Sequence, residues 1–228
     1  MSAYYNENDK YAAQWLRNLI SAGHIAPGDV DERSITEVQP DDLRGYTQCH
    51  FFAGIGGWSY ALRLAGWPDD RHVWTGSCPC QPFSSASGGT GDRRDDIRHL
   101  WPVWERLIAA KKPLSIFGEQ VVQAGDWIDC VCDDLEGMGY EIGAAVLPAC
   151  CVGFDHARAR IYFAGNANMH SEPRIASDAA QVARVPRHRG IGAELALEDG
   201  LSNRVGAMRA YGNAIVPQVA AAFIEAAA

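Results

Sequence analysis

The chain has 228 residues, 47% of them apolar and 21% charged, with a formal net charge of −8. These proportions suit a globular protein with a sizeable core and one main domain, and they exclude a chain coated in basic residues. No run of about eighteen apolar residues occurs, and the opening Met1–Glu7 has neither the basic region nor the apolar core of a signal peptide, so a cytoplasmic protein with no membrane partner is expected. The 7 cysteines are odd in number and lack the spacing of a structural zinc site, and His170 and His188 add no ligand pattern; reduced thiols and no metal are the expectation.

In chain order, Cys49–Ala53 is a short apolar run ending in Gly54-Ile55-Gly56-Gly57. Trp58, Ala61, Leu62, Leu64 and Ala65 follow at helical spacing until Gly66 stops them, which reads as strand, glycine turn, helix. A second unit begins at Val73–Thr75 and turns through Ser77-Cys78-Pro79-Cys80-Gln81-Pro82-Phe83-Ser84. Helical periodicity resumes from Ile97 to Ile108, with Lys111 and Lys112 suiting the negative end of a helix dipole. Pro113–Gly118 is a third strand, Trp127–Met138 an amphipathic helix, Gly143–Leu147 and Arg160–Gly165 two more strands, and Ala214–Ala227 a closing helix. Alternation of this kind implies an α/β fold with a largely parallel sheet, whose sites gather at the carboxyl ends of strands. Residues 166–208 differ, being rich in Arg, Ala, Gly and Ser with weak periodicity: a small appended subdomain or loops. From Arg158 to Arg209 eight arginines oppose five acids, so this interval is either a solvated basic face or a contact for a polyanion.

Taken singly, the chemical signals are weak. A cysteine is more often an inert buried thiol, the reading adopted for Cys49, Cys130, Cys132, Cys150 and Cys151. Trp58, Trp67, Trp101, Trp104 and Trp127 read as core packing. A glycine turn can expose backbone N–H groups to an anionic ligand or simply reverse the chain. The set is far more specific than its members: Phe52-Ala53-Gly54-Ile55-Gly56-Gly57, Pro79-Cys80-Gln81, Phe117-Gly118-Glu119-Gln120-Val121, Arg158-Ala159-Arg160 and Tyr211-Gly212-Asn213-Ala214 each fall at a strand end or a helix start.

That set resembles the DNA cytosine-C5 methyltransferase family, which uses S-adenosylmethionine. The resemblance implies a Rossmann-like, doubly wound, mostly parallel sheet, with Phe52–Gly57 as the first motif, Pro79-Cys80 as the nucleophile motif, Glu119 as the acid, Arg158 and Arg160 as the paired arginines and Gly212-Asn213 as the last motif. The family separates its first motif from the nucleophile by two further strands, for which this chain has no room. Upstream, Tyr5-Asn6-Glu7-Asn8-Asp9-Lys10-Tyr11-Ala12-Ala13 resembles the second motif and Pro27-Gly28-Asp29-Val30 the third. A permuted order is therefore inferred, in which the second and third strands precede the first and the linker from Asp31 to Tyr46 joins them. A parallel sheet tolerates this, because it positions strand ends regardless of chain order.

The resemblance further implies that Glu7 accepts hydrogen bonds from the ribose hydroxyls and Asp29 one from the adenine amine. Asn8 and Val30 would flank the adenine, Asn8 standing where the family has an apolar or aromatic residue. Phe52, Ala53, Gly54, Ile55, Gly56 and Gly57, with Pro79, Asn213 and Ala214, would hold the methionine part. Cys80 would attack C6 of cytosine; protonated Glu119 would donate to N3 and accept from the exocyclic amine; Arg160 would bind O2, assisted by Arg158; water would serve as the base. The target base must leave its duplex to meet such groups. Ser84, Ser87, Arg93 and Arg94, in a glycine-rich loop, and Arg187 and Arg189 are the candidate DNA contacts. Residues 1–165 would form the catalytic and cofactor-binding domain, 166–208 a small target-recognition segment, and 209–228 the return to the catalytic domain. Two departures stand out, Gln120 for the family's Asn and Asp155-His156 for its Pro-Gln. The expected function is a monomeric DNA cytosine-5 methyltransferase acting on double-stranded DNA in a restriction-modification or phage setting. The alternatives are a degenerate DNA-binding or regulatory protein, or the same chemistry on RNA.

Overall fold

The computed structural model describes residues 2–79, 100–155, 158–167 and 214–228. Five strands, Ser2–Asn6 (β1), Gly28–Asp31 (β2), Tyr46–Phe51 (β3), Val73–Gly76 (β4) and Ser115–Val121 (β5), pair in parallel in the order β2-β1-β3-β4-β5. Glu141–Leu147 (β6) and Arg160–Asn166 (β7) complete the sheet, β7 lying antiparallel between β5 and β6. The expected largely parallel sheet is thus present, with an antiparallel edge.

The usual doubly wound sheet has its first strand at the centre, the second and third outside it on one side and the fourth and fifth on the other. Here the central position belongs to β3, while β1 and β2 occupy the places of the usual second and third strands.

Helices Lys10–Ser21 (α1), Gly57–Leu64 (α2) and Pro217–Ala227 (α5) cover one face; Trp101–Lys111 (α3) and Gly125–Gly137 (α4) cover the other. Asp9 starts α1 by accepting from the N–H groups of Tyr11 and Ala12 at 2.9 and 3.0 Å. Both faces of the parallel strands are covered, which explains why β3 buries every residue from Thr47 to Phe51 instead of alternating. On the α3/α4 face Trp101, Trp104 and Trp127 meet edge to face, with ring centroids 5.7 and 5.8 Å apart. Trp58 and Trp67 pack on the other face with Phe117, Tyr162 and Phe223. The five tryptophans read as core packing, Trp58, Trp67, Trp101, Trp104 and Trp127, are all buried.

Three local expectations are corrected. The strand read as Pro113–Gly118 runs on to Val121, placing Glu119 and Gln120 inside it. The segment between β2 and β3, read from the sequence only as a linker, has structure of its own: it folds into two short 3-10 turns, Ile35–Glu37 and Pro40–Leu43, and buries Ile35, Val38 and Leu43 in the core beside α3. Of the thiols read as buried, Cys49 is, but Cys130 and Cys132 are partly exposed and Cys150 and Cys151 are exposed. The latter pair lies in a surface 3-10 turn, Ala149–Val152, in which Ala149 is buried and Val152 packs against the core, leaving the two thiols exposed. Among the described residues no helix is long and apolar enough to cross a membrane.

Candidate active site

The register brings the carboxyl ends of the parallel strands to one edge. Asn6 pairs with both Asp31 and Phe51, Phe51 with Gly76, and Gly76 with Gly118. Glu7, the turn Phe52–Gly57, the segment Ser77–Pro79 and Glu119 therefore all emerge at that edge, where ligands of such sheets bind.

The glycine turn is tied to the N-terminal strand. Glu7 accepts from the N–H of Gly54 at 2.7 Å with one carboxylate oxygen and from that of Asp9 at 2.9 Å with the other. Burial raises the proton affinity of Glu7, and these N–H donors oppose the rise. Phe52 has φ +51, a conformation costly for an aromatic residue, which turns the chain out of β3 while its ring packs edge-on to Trp104 at 6.3 Å. Gly54 and Gly56, at φ +55 and +84, continue the turn, and no atom of the other described residues lies within 4 Å of the position a Gly54 Cβ would take. Gly57, opening α2, is required for a different reason: a Cβ there would stand 2.7 Å from Ile215 Cγ1. The C-terminal segment is thereby seated on the turn, with Ala214 and Ile215 beside α2.

Glu119 is 7% exposed and pairs with Arg160 at 2.9 Å. Antiparallel pairing explains the match: Glu119 sits opposite Tyr162, so Arg160, two residues earlier on β7, shares its face of the sheet one step nearer the edge. Arg158, two residues earlier again, donates to the Ala214 carbonyl at 2.7 Å. Burial nevertheless raises the proton affinity of Glu119, outweighing the Arg160 and Arg158 cations, which favour the charged form. Burial likewise lowers the proton affinity of Arg158, with Arg160 adding to the effect. The site thus holds a carboxyl group that burial inclines toward its protonated form, next to a fixed cation. Gln120, on the opposite face, donates to the Cys78 carbonyl at 2.8 Å, while its own amide oxygen accepts from the Val121 N–H at 2.8 Å. The longer amide at this position anchors the turn that leads through Pro79 to Cys80.

Other expected residues fall elsewhere. Asp29 is mid-strand, opposite Tyr4, and accepts from the Tyr46 hydroxyl at 2.9 Å. It lines a hollow of about 410 Å³ with Val30, Tyr4, Asp31 and Arg33, and Glu7 and the glycine turn are not among that hollow's lining residues. At the carboxyl end of β2 stands Asp31, engaged by Tyr4 at 2.7 Å and by Arg33. Asn8 is exposed. Cys80, Ser84, Ser87, Arg93, Arg94, Arg187, Arg189 and Asn213 lie outside the described residues. Two participants were not foreseen: Ser77, and Trp58, whose indole N–H donates to the Ser77 hydroxyl at 3.1 Å. Their positions directly before Cys78-Pro79-Cys80 and directly after the glycine turn were the available signal.

The sequence pattern that defines C-5 cytosine-specific DNA methylases matches residues 67–204. The chain belongs to that family. Glu119, Gln120, Arg158 and Arg160 fall within the matched stretch; Glu7 and the glycine turn precede it. Over 115 residues the chain is 30% identical to the type II methyltransferase M.MspI of Moraxella sp, an alignment covering 46% of this chain and 28% of that protein, so the chain matches little more than a quarter of its relative's length. Among solved structures it is similar to a Spodoptera frugiperda DNMT2 mutant (15% identity, 75% of this chain and 44% of that one, TM-score 0.49). It is also similar to the S. pombe Dnmt2 methyltransferase (15% identity, 76% and 53%, TM-score 0.45).

Proposed function

We propose that the protein transfers a methyl group from S-adenosylmethionine to C5 of a cytosine in DNA, the base being drawn out of its duplex, through a transient bond between Cys80 and C6. The observation that carries this reading is the buried Glu119–Arg160 pair at the strand edge, next to the segment that leads into Cys80. A carboxyl group with raised proton affinity can donate to N3 while its other oxygen accepts from the exocyclic amine, and Arg160 can bind O2 as negative charge develops. Cys80 would supply the electron pair that opens the C5–C6 double bond. Ser84, Ser87, Arg93, Arg94, Arg187 and Arg189 would contact the nucleic acid, the arginines pairing with phosphates.

The residues fit the cofactor. Glu7 offers a partly exposed carboxylate for ribose hydroxyls, and among the described residues the space beside Gly54 lies open, just before the start of a helix, where backbone N–H groups lack intrahelical partners. Phe52–Gly57, Asn8, Pro79, Asn213 and Ala214 would line the rest. Asp29 and Val30 would close the adenine end, which requires Asp29 to exchange the bond from Tyr46 for one from the adenine amine. Bound there, S-adenosylmethionine supplies an electrophilic methyl group. The strand order supports a permuted origin for this half, β1 and β2 standing where the second and third strands usually stand.

The test is incubation with methyl-labelled S-adenosylmethionine and either DNA or RNA. Label in DNA as 5-methylcytosine, lost in Cys80→Ser and in Glu119→Gln, is the expected outcome. Label in RNA alone would reassign the substrate, and label in neither would leave a DNA-binding or regulatory role.

A further inference from the structure

Helix α2, which continues the glycine turn, is bound to the N-terminal strands by a closed ring of hydrogen bonds. The Ala26 N–H donates to the Ser59 hydroxyl at 3.2 Å, the Tyr5 hydroxyl donates to the Ala26 carbonyl at 2.6 Å, and the two hydroxyls lie 2.9 Å apart. Each hydrogen has one place in this ring. A carbonyl only accepts, so the single hydrogen of Tyr5 is committed to Ala26, and that of Ser59 is left to point at the Tyr5 oxygen. Tyr5, Ala26 and Ser59 are 0, 2 and 1% exposed, so a missing member would leave its neighbours unpaired away from water. In the usual chain order the helix after the central strand runs into the strand beside it, which ties the two covalently. Here α2 leads to β4 on the other side, and β1 reaches β3 only through α1, β2 and residues 32–45. The ring supplies the missing tie. Tyr5 stands two residues before Glu7 and Ser59 two after Gly57, so the ring and the bond from the Gly54 N–H to Glu7 hold the turn at two points. Between them Gly56 rests on α1 and Ile25, since a Cβ there would come to 3.2 Å from Leu16 and 3.3 Å from Leu19 and Ile25.

We propose that Ser59 is a positioning residue for the cofactor: through this ring it locks the glycine turn to the strand that carries Glu7, and so sets how tightly S-adenosylmethionine binds without acting on the transfer itself. The proposal rests on the methyl-transfer reading for the identity of the ligand, while the locking of the turn stands apart from it. Glu119 and Arg160 belong to β5 and β7, which lie beyond β4 from β1. Opening the ring therefore acts on binding and leaves the chemical step alone.

The experiment compares the wild type, Ser59→Ala and Tyr5→Phe in two readouts: hydrogen exchange of the Gly54 amide by NMR, and S-adenosylmethionine affinity by calorimetry alongside KM and kcat for methyl transfer to DNA. Both variants should quicken Gly54 exchange and raise the dissociation constant and KM for the cofactor by about fivefold, the usual effect of one hydrogen bond, with kcat within about twofold of the wild type. The double variant should weaken binding by less than the product of the single effects, because either change opens the same ring. Unchanged exchange or unchanged affinity in Ser59→Ala, a fall in kcat at constant KM, or single effects that multiply would overturn the proposal. If the wild type binds no S-adenosylmethionine while the variants exchange faster, the locked turn stands and the proposed function fails; if the wild type binds and methylates and Ser59→Ala matches it in both readouts, the reverse holds.

Discussion

Gly57 and Ile215 offer a quantitative test of whether the C-terminal segment is seated on the glycine turn. An alanine at 57 would bring its Cβ to 2.7 Å from Ile215 Cγ1 and 3.4 Å from Cδ1. Carbon atoms are content at about 3.5–4.0 Å, so the side chain of Ile215 must retreat by about 0.8 Å. Cγ1 is attached at the base of that side chain, inside a cluster with Trp58, Val219 and Phe223, so the retreat needs a strained rotamer or a shift of backbone. Overpacking of this kind costs about 1–3 kcal/mol, less a few tenths regained because Ala is the better helix former. Ile215→Val keeps both γ carbons and should not relieve the clash. Ile215→Ala removes Cγ1 and Cδ1 and should relieve it, although alone it costs about 2–5 kcal/mol as a cavity. Urea denaturation of Gly57→Ala, Ile215→Ala and the double variant should therefore give a double that is about 1–2 kcal/mol more stable than additivity requires. Additivity within about 0.5 kcal/mol would refute the docking of the C-terminal segment on the turn.

Gln120→Leu should cost about 1–3 kcal/mol by removing the buried hydrogen bond to the Cys78 carbonyl, and should slow methyl transfer; an unchanged urea midpoint would mean that the amide anchors nothing. Glu7→Ala should weaken S-adenosylmethionine binding at least about tenfold by calorimetry, and an unchanged affinity would remove the N-terminal strands from the cofactor site. Tyr46→Phe frees Asp29 and should tighten cofactor binding severalfold if Asp29 meets the adenine amine; no change would leave Asp29 with a structural role only. Burial pushes His50 down to about 3, its ring stacked on Tyr5 and bonded to Thr75 at 2.8 Å. Because the folded-state value lies below the unfolded one, the stability it confers is whole above about pH 6.5 and is lost as pH falls toward 3. His50→Gln should flatten that acid limb in a melting series, whereas a limb unchanged in shape would assign acid sensitivity elsewhere.

The candidate edge was legible because each of its residues sits at a punctuation mark: Glu7 after β1, the glycines after β3, Glu119 near the end of β5, Arg160 at the start of β7. Strand ends converge in a parallel sheet, so local signals there carry global meaning. The spacing of Arg158 and Arg160 also has a strand-period cause, visible only once β7 is known to run antiparallel to β5. What escaped the sequence depends on pairings between distant segments. Nothing local says that Gln120 reaches back to Cys78, or that Trp58 is both core and donor to Ser77. The segment between β2 and β3 looked like a tether because its apolar residues Ile35, Val38 and Leu43 are spread among acids and follow neither a helical nor a strand period. Cys150 and Cys151 sit next to apolar neighbours in sequence, yet the turn they occupy faces solvent.

The most direct measurement is trapping. DNA with 5-fluorocytosine in place of cytosine is incubated with the protein and S-adenosylmethionine, and the attached peptide is identified by mass spectrometry; fluorine at C5 cannot leave as a proton does, so the bond to C6 persists. The expected result is a cofactor-dependent adduct on Cys80, absent in Cys80→Ser and sharply reduced in Glu119→Gln and Arg160→Ala. An adduct on another thiol such as the exposed Cys150 or Cys151, or methylation of ordinary DNA by Cys80→Ser, would contradict it.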